Sequence, residues 1–324
     1  MSDSESEAPA GAAAAASKPG IPLSFSRKCL FQPSAVEAAR EAAAAAAAAN
    51  GEEGSDSAVD DSEDLPDDDV DEAKETSSYG ARRGSGGADG KFGRLREVLP
   101  FAFHPNVRPL SINDLESCVA LENAAFENPG HRCTREKFEY RLSTCPELSM
   151  GLFCTIVPDK AQGFEIDTFA TAQPAETGRN DGSRSVLIAH IVATKSHKKL
   201  VTDEAMDYPR DFRTNKHKHS SLGHQEGGQT ICIHSLAVHP KLHGCHLGKL
   251  IMKAYLQQLK NADIAEYCSL ICQDYLVSFY ERFGFVCQGP SKATLGGGGW
   301  FDMTLRIEDL PPYHARVAGG VRRV

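Results

Sequence analysis

The chain has 324 residues, 41% of them apolar and 24% charged, with a formal net charge of −9. That length allows one large domain or two small ones, and the apolar share is enough for a sizeable core. The acidity is local: residues 52–72 hold twelve acidic side chains and no Lys or Arg, and without them the net charge is about +3. Apart from the short stretch 216–219, no basic run is present to track a phosphate backbone, so nucleic acid is excluded as a partner class.

The first residues, MSDSESEAPA, lack the basic and apolar regions of a secretory signal. The alanine run 42–49 falls far short of the ~20 apolar residues that cross a bilayer, so no membrane partner is expected. The ten cysteines form no CxxC pair and sit mostly in apolar runs, which points to a reducing, cytoplasmic location.

In chain order, residues 1–100 are rich in Ala, Gly, Ser, Asp and Glu and poor in aromatics, a composition that predicts a disordered tail. Within it, Ser34 and Glu37 have capping-box spacing ahead of the alanines, and Asn50-Gly51 supplies a stop, so a transient helix is expected there. Arg82-Arg83-Gly84-Ser85 has basophilic-kinase spacing, which makes Ser85 a candidate for a phospho-dependent partner.

A folded domain is predicted over 101–312, with ordered structure from Arg108, a polar insertion at 195–230 and a C-terminal tail at 313–324. Ser111 caps a helix through Ile112, Leu115, Val119, Leu121, Ala125 and Phe126; a second helix spans 135–144 with Phe138 and Leu142 on one face. Two adjacent strands follow at 150–157 and 186–194. The insertion is too long for an ordinary connection and reads as a lid or disorder, its histidines 217, 219 and 224 solvated. Beyond it the pattern predicts strand 231–238, helix 247–260, strand 267–273, helix 275–283, strand 285–289, and a last element at 300–307 after the glycine run 296–299.

The stretch from 231 carries chemistry. Strict alternation places Cys232, His234, Leu236 and Val238 on one face of the strand. Pro240 ends it, Gly244 and Gly248 allow close backbone approach, and a helix with Leu247, Leu250, Ile251, Ala254 and Leu259 on one stripe begins. Amides at such a helix start suit a pyrophosphate. On spacing alone, His234 reads more readily as a core histidine, and Tyr280, between Phe279 and Phe283, more readily as a core tyrosine. His239, His243, Cys245 and His246 have a spacing that invites zinc, but Pro240 and Gly244 interrupt it and no metal site is expected.

Four blocks, CPELSMGLF at 145–153, IHSLAVH at 233–239, HGCHLGK at 243–249 and CQDYLVSFYERFGF at 272–285, occur in an order that resembles the GNAT acyltransferase family. Over 108–307 the resemblance is closest to the arylalkylamine (serotonin) N-acetyltransferases, with fungal-type and polyamine-acetylating relatives in the same group. It implies an α/β fold: a mixed, mostly antiparallel sheet splayed near 231–238, with helices on both faces. It also implies transfer of an acetyl group from acetyl-CoA to a small primary amine by direct attack in a ternary complex.

By position, the resemblance gives the backbone of Leu236, Ala237 and Val238 to the acetyl group and pantetheine arm, and His243, Gly244, Cys245, His246, Leu247, Gly248 and Lys249 to the pyrophosphate. The family pattern R/Q-x-x-G-x-G/A has His243 at its first position and His246 at its middle glycine; the amide of residue 246 donates if its φ is negative. Two histidines, i and i+2, relay the amine proton in the family; here Cys232 fills the first place as wall or weak relay and His234 the second as base. Tyr280 matches the acid that protonates the CoA thiolate, and Phe138, Pro146 and Trp300, with Ile271, Cys272 and Gln273, match the amine slot. Two alternatives stand beside this: a polyamine or protein α-amine acceptor, served by Glu147, Asp302 and the acidic residues of the insertion 195–230, and a non-catalytic module that binds CoA or a partner protein.

Overall fold

The computed structural model describes residues 93–215 and 220–311. The expectations for a disordered tail, for a helix near the alanine run, for Ser85, for the histidines at 217 and 219 and for the segment 313–324 lie outside the described residues.

Eight strands make one sheet. They are β1 (Pro105–Pro109), β2 (Met150–Ile156), β3 (Gln173–Pro174), β4 (Arg184–Ser196), β5 (Thr230–Val238), β6 (Tyr267–Cys272), β7 (Val286–Pro290) and β8 (Phe301–Arg306). Their order is β1-β2-β4-β5-β6-β8-β7, with β3 paired on β4. Every pairing is antiparallel except β5 with β6, so the sheet is of the mixed, mostly antiparallel kind that was expected.

Alternation along the strands sends side chains to two layers. On one face, α2 (Leu115–Ala125) and α3 (Arg135–Thr144) pack Cys118, Leu121, Phe138 and Leu142 against Phe153, Leu187, Val192 and Ala237. On the other, the amphipathic α5 (Leu247–Ala262) sets Ile251, Met252, Tyr255 and Leu259 on Leu152, Ile191, Ile231 and Ile233, joined by α6 (Val277–Glu281) through Phe279 and Tyr280. Tyr255 is fully buried yet satisfied, its hydroxyl donating to the Leu148 carbonyl at 2.8 Å.

Two features of β5 open the sheet. Its pairing with β4 steps from Val192↔Ser235 to Ala193↔Ile233, so His234 is the extra residue of a β-bulge. Its pairing with β6 covers only Thr230↔Tyr267, Ile231↔Cys268 and Cys232↔Ser269, after which the two strands diverge. The bulge also corrects the strict alternation expected over 231–238. Ile231 and Ile233 before it, and Leu236 and Val238 after it, share the α5-side core, whereas Cys232 packs with Val201 and Met206, and Ala237 with the α2–α3 layer.

Order begins earlier than the sequence suggests. Helix α1 (Gly93–Val98) and strand β1 precede residue 110, and Leu95 and Leu99 are buried in the main core, so residues 93–99 belong with the folded domain. Too short to show a helical period, α1 is anchored on the core through Leu95, with Val98 and the following Leu99 packed beside it. Within the insertion, α4 (Asp203–Met206) and the ion pair of Arg213 with Glu139 at 2.6 Å dock its described part on the domain. His224 is not solvated: its side chain is 5% exposed, and its Nδ1 accepts the Lys195 N–H at 3.2 Å. Among the described residues no helix is long and apolar enough to cross a membrane.

Candidate active site

The divergence of β5 and β6 leaves a cleft. Ile233, His234, Ser235 and Leu236 form one wall, and Leu270, Ile271, Cys272 and Gln273 the other. Tyr280 reaches it from α6, and Trp300 and Leu295 close it from the loop before β8. Beyond the pairing with Cys232, the β6-facing edge of β5 has no strand partner, so its backbone groups border the cleft.

His234 sits at the bulge with Nε2 at 2.7 Å from the Thr194 hydroxyl, while Nδ1 is buried and without a partner. Burial, then the nearby Arg141 and Lys137 charges, holds its pKa well below the ordinary histidine value. The ring is therefore neutral at pH 7 with an imidazole lone pair to offer, while the same burial and charges make it a weaker base than an exposed histidine. Tyr280 is 6% exposed, packed edge-on against Phe279 and Phe285, and burial drives its pKa far above the ordinary phenol value. It therefore keeps its proton throughout the neutral range. Cys232 is fully buried in a cluster with Val201 and Met206 and is not part of the cleft lining, and burial pushes its thiol up to about 12. Such a thiol does not relay protons at neutral pH.

The turn between β5 and α5 has Gly244 at φ +70° and His246 at φ +58°. A negative φ at position 246 was the condition for its amide to donate; the residue instead takes the left-handed conformation, which is where glycine is at ease. The physical reason is the sharp entry into α5, for which His246 is the N-cap. The first α5 ladder bond runs from Leu250 N–H to the His246 carbonyl at 3.0 Å, so the amides of the first turn precede it, as at an anion-binding helix start. A side chain at Gly244 would collide with the Arg94 guanidinium of α1, a cation that sequence reading had placed in the tail. His243 donates from Nε2 to the Val238 carbonyl at 3.0 Å, and His239 pairs with Asp167 at 2.9 Å.

Residues 210–307 match the acetyltransferase (GNAT) domain family. The chain carries a GNAT acetyltransferase domain. Among curated proteins it is 29% identical to a serotonin N-acetyltransferase of Mesocricetus auratus over 203 residues, 62% of this chain and 75% of that one. It is 26% identical to the serotonin N-acetyltransferase of Homo sapiens over 218 residues, 67% and 83% of the two chains. Solved structures similar to it include the loading GNATL domain of CurA from Lyngbya majuscula, with TM-score 0.42, 14% identity, and 63% and 98% coverage.

The GNAT domain brings together His234, Tyr280, Leu236, Ile271, Cys272, Gln273 and Trp300 around one cleft. Phe138 and Pro146 are not part of its lining. Phe138 is wholly buried in the α2–α3 layer, edge-on to His190 at 5.5 Å, and Pro146 opens the turn Pro146–Leu148 before β2. Sequence reading missed Phe126, His131 and Met206, which complete the cleft from α2's end, the following turn and the insertion. Only tertiary packing brings them there: His131 stands edge-on to Trp300 at 4.9 Å, and the Met206 carbonyl is held by buried Arg141 at 3.0 Å. Also missed was a buried group of Glu122, His190 and Ser235 behind the β5 wall.

Proposed function

We propose that this chain transfers the acetyl group of acetyl-CoA to the primary amine of a small arylalkylamine, by direct attack in a ternary complex. The carrying observation is that His234 and Tyr280, from separate elements, line one cleft at the point where β5 and β6 part. The likeness to the serotonin N-acetyltransferases supports the choice of acceptor.

The residues present fit acetyl-CoA. The Gly244 turn and the α5 start suit its pyrophosphate, with Arg94 beside them, and the unpaired β5 edge at Leu236–Val238 suits its pantetheine amides. An alkylammonium has a pKa near that of lysine, ~10.4, so freeing its lone pair at pH 7 costs about 4–5 kcal/mol. In this reading neutral His234 accepts that proton, directly or through water, and the lone pair attacks the thioester carbonyl. Collapse of the tetrahedral intermediate breaks the C–S bond and Tyr280 gives its proton to the leaving thiolate; the second proton lost by the nitrogen as the amide forms returns to the Tyr280 oxygen through water. The flat surface of Trp300 and its neighbours Leu295 and Ile271 would receive the aryl ring.

The test is thiol release from acetyl-CoA by the full chain with tryptamine, spermine or a peptide α-amine. Tryptamine is expected to be turned over best. A spermine preference above tenfold would sink the aryl slot, and CoA binding by calorimetry without acetylation of any amine would establish the non-catalytic module.

A further inference from the structure

Behind the cleft wall lies a polar group that the roles of His234 and Tyr280 do not use. Ser235 follows the bulge residue and lines the cleft, and its Oγ donates to Glu122 Oε2 at 2.7 Å. His190 Nε2 lies 3.0 Å from the same carboxylate oxygen and 3.2 Å from the Ser235 hydroxyl. The other carboxylate oxygen, Oε1, accepts the Cys133 N–H at 2.7 Å. Glu122 is 1% exposed and His190 is wholly buried, and they come from α2 and β4, so three separate elements converge on one hydroxyl of β5.

The chemistry of the three groups sets their roles. An imidazole nitrogen beside a carboxylate oxygen carries the proton, so Nε2 is a donor in the His190 ring, whose Nδ1 has no partner. Ser235 has its single hydrogen committed to Glu122. What its oxygen can still offer the cleft is a lone pair, polarised by the carboxylate that holds its hydrogen. Burying a carboxylate and a histidine under a core face is costly unless the group is fully engaged, and a wall needing only shape would be met by alanine. The bulge is what makes this hydroxyl a neighbour of His234 at the cleft, since adjacent residues of a regular strand face opposite sides.

We propose that Ser235 Oγ is a second acceptor in the cleft, receiving an N–H of the acceptor amine and fixing its nitrogen beside His234. Glu122 and His190 act through it as positioning residues. The N–H given to Ser235 stays on the amine; the proton that leaves goes to His234, as above. The inference rests on reading this cleft as the amine site.

The experiment uses the full chain and steady-state kinetics with tryptamine, together with calorimetry of CoA binding. Wild-type turnover is measured first, and a wild type that acetylates no amine overturns the reading of the cleft and this inference with it. Given turnover, Ser235→Ala is expected to raise the amine KM at least tenfold and leave CoA affinity within twofold, and Ser235→Thr, which keeps a hydroxyl, to recover most of the loss. Glu122→Gln is expected to raise the amine KM in the same direction, and the Ser235→Ala/Glu122→Gln double variant to be no worse than Ser235→Ala, because Glu122 acts only through that hydroxyl. An unchanged amine KM in folded Ser235→Ala overturns the proposal, as does a parallel loss of CoA affinity or an additive double variant. Should Glu122→Gln fail to fold, the Ala and Thr pair at position 235 decides.

Discussion

Asp203 and Thr294 lie far apart in the chain but are clamped together: the Asp203 carboxylate accepts the Thr294 N–H at 3.0 Å, its hydroxyl at 2.7 Å and the Leu295 N–H at 3.2 Å. Asp203 starts α4, which carries Met206, and Thr294 starts the loop that carries Leu295 and Trp300, so the clamp joins two sides of the cleft mouth. Burial raises the Asp203 pKa, but the Thr294 and Leu295 donors outweigh it and leave the value below the ordinary carboxylate range. A depressed carboxylate pKa contributes stability above the unfolded value of ~3.9, lost as pH falls through the folded one.

Asp203→Ala is accordingly expected to cost about 1–2 kcal/mol, with much of the effect on the mouth rather than the core. Denaturant melts and amine KM check this. KM should rise with CoA affinity unchanged, and the stability difference from wild type should shrink below pH 4. A variant with unchanged KM would mean that the mouth holds its shape without the clamp.

Tyr280→Phe removes one oxygen from a side chain that is otherwise packed among Phe279 and Phe285. Turnover is expected to fall by roughly 10²-fold, the low end for general acid catalysis, while CoA affinity stays within threefold. Because burial keeps the phenol protonated well past neutrality, no alkaline limb from Tyr280 should appear in the wild-type rate profile below pH 10. A variant that lost CoA affinity in proportion to turnover would place the hydroxyl in binding, not proton donation.

His234 yields a prediction for stability as well as rate. Its folded pKa lies well below ~6.5, so below pH 6.5 the unfolded chain binds more protons than the folded one and wild-type stability falls with acidification. His234→Asn has no such proton to bind, so its melting temperature should fall less between pH 7 and 5, while the wild-type rate should show no limb from His234 near pH 6.5, because the folded ring stays neutral there. Parallel melting curves for the two proteins across those pH values would show that the ring is not held neutral.

Much of the fold was legible because its elements are strongly patterned. The stretch 247–262 has an unbroken apolar stripe, and 135–144 starts after the Thr134 cap and ends before Pro146. The cleft was legible in part, through the residues next to glycine turns. Part of what escaped stems from the bulge at His234, which no local pattern announces and which reverses the facing of β5 midway; the rest, Phe126, His131 and Met206, reaches the cleft only through tertiary packing. Phe138 misled for a related reason, since a residue beside a site in sequence blocks can lie one layer beneath it, here under His190.

The turn at His246 offers a test in the direction of gain. A non-glycine residue at φ +58° carries about 1 kcal/mol of backbone strain, and its Nδ1 is buried without a partner. His246→Gly removes both burdens. Glycine's greater freedom in the unfolded chain offsets part of the benefit, so the net gain expected is roughly 0.5 kcal/mol, seen as a rise in melting temperature. Without the imidazole the turn can close more tightly on a pyrophosphate, and CoA affinity by calorimetry should rise several-fold. If stability rises and CoA affinity falls, the imidazole itself contacts the cofactor, and His246 would then belong to the binding site as a side chain and not as a backbone position.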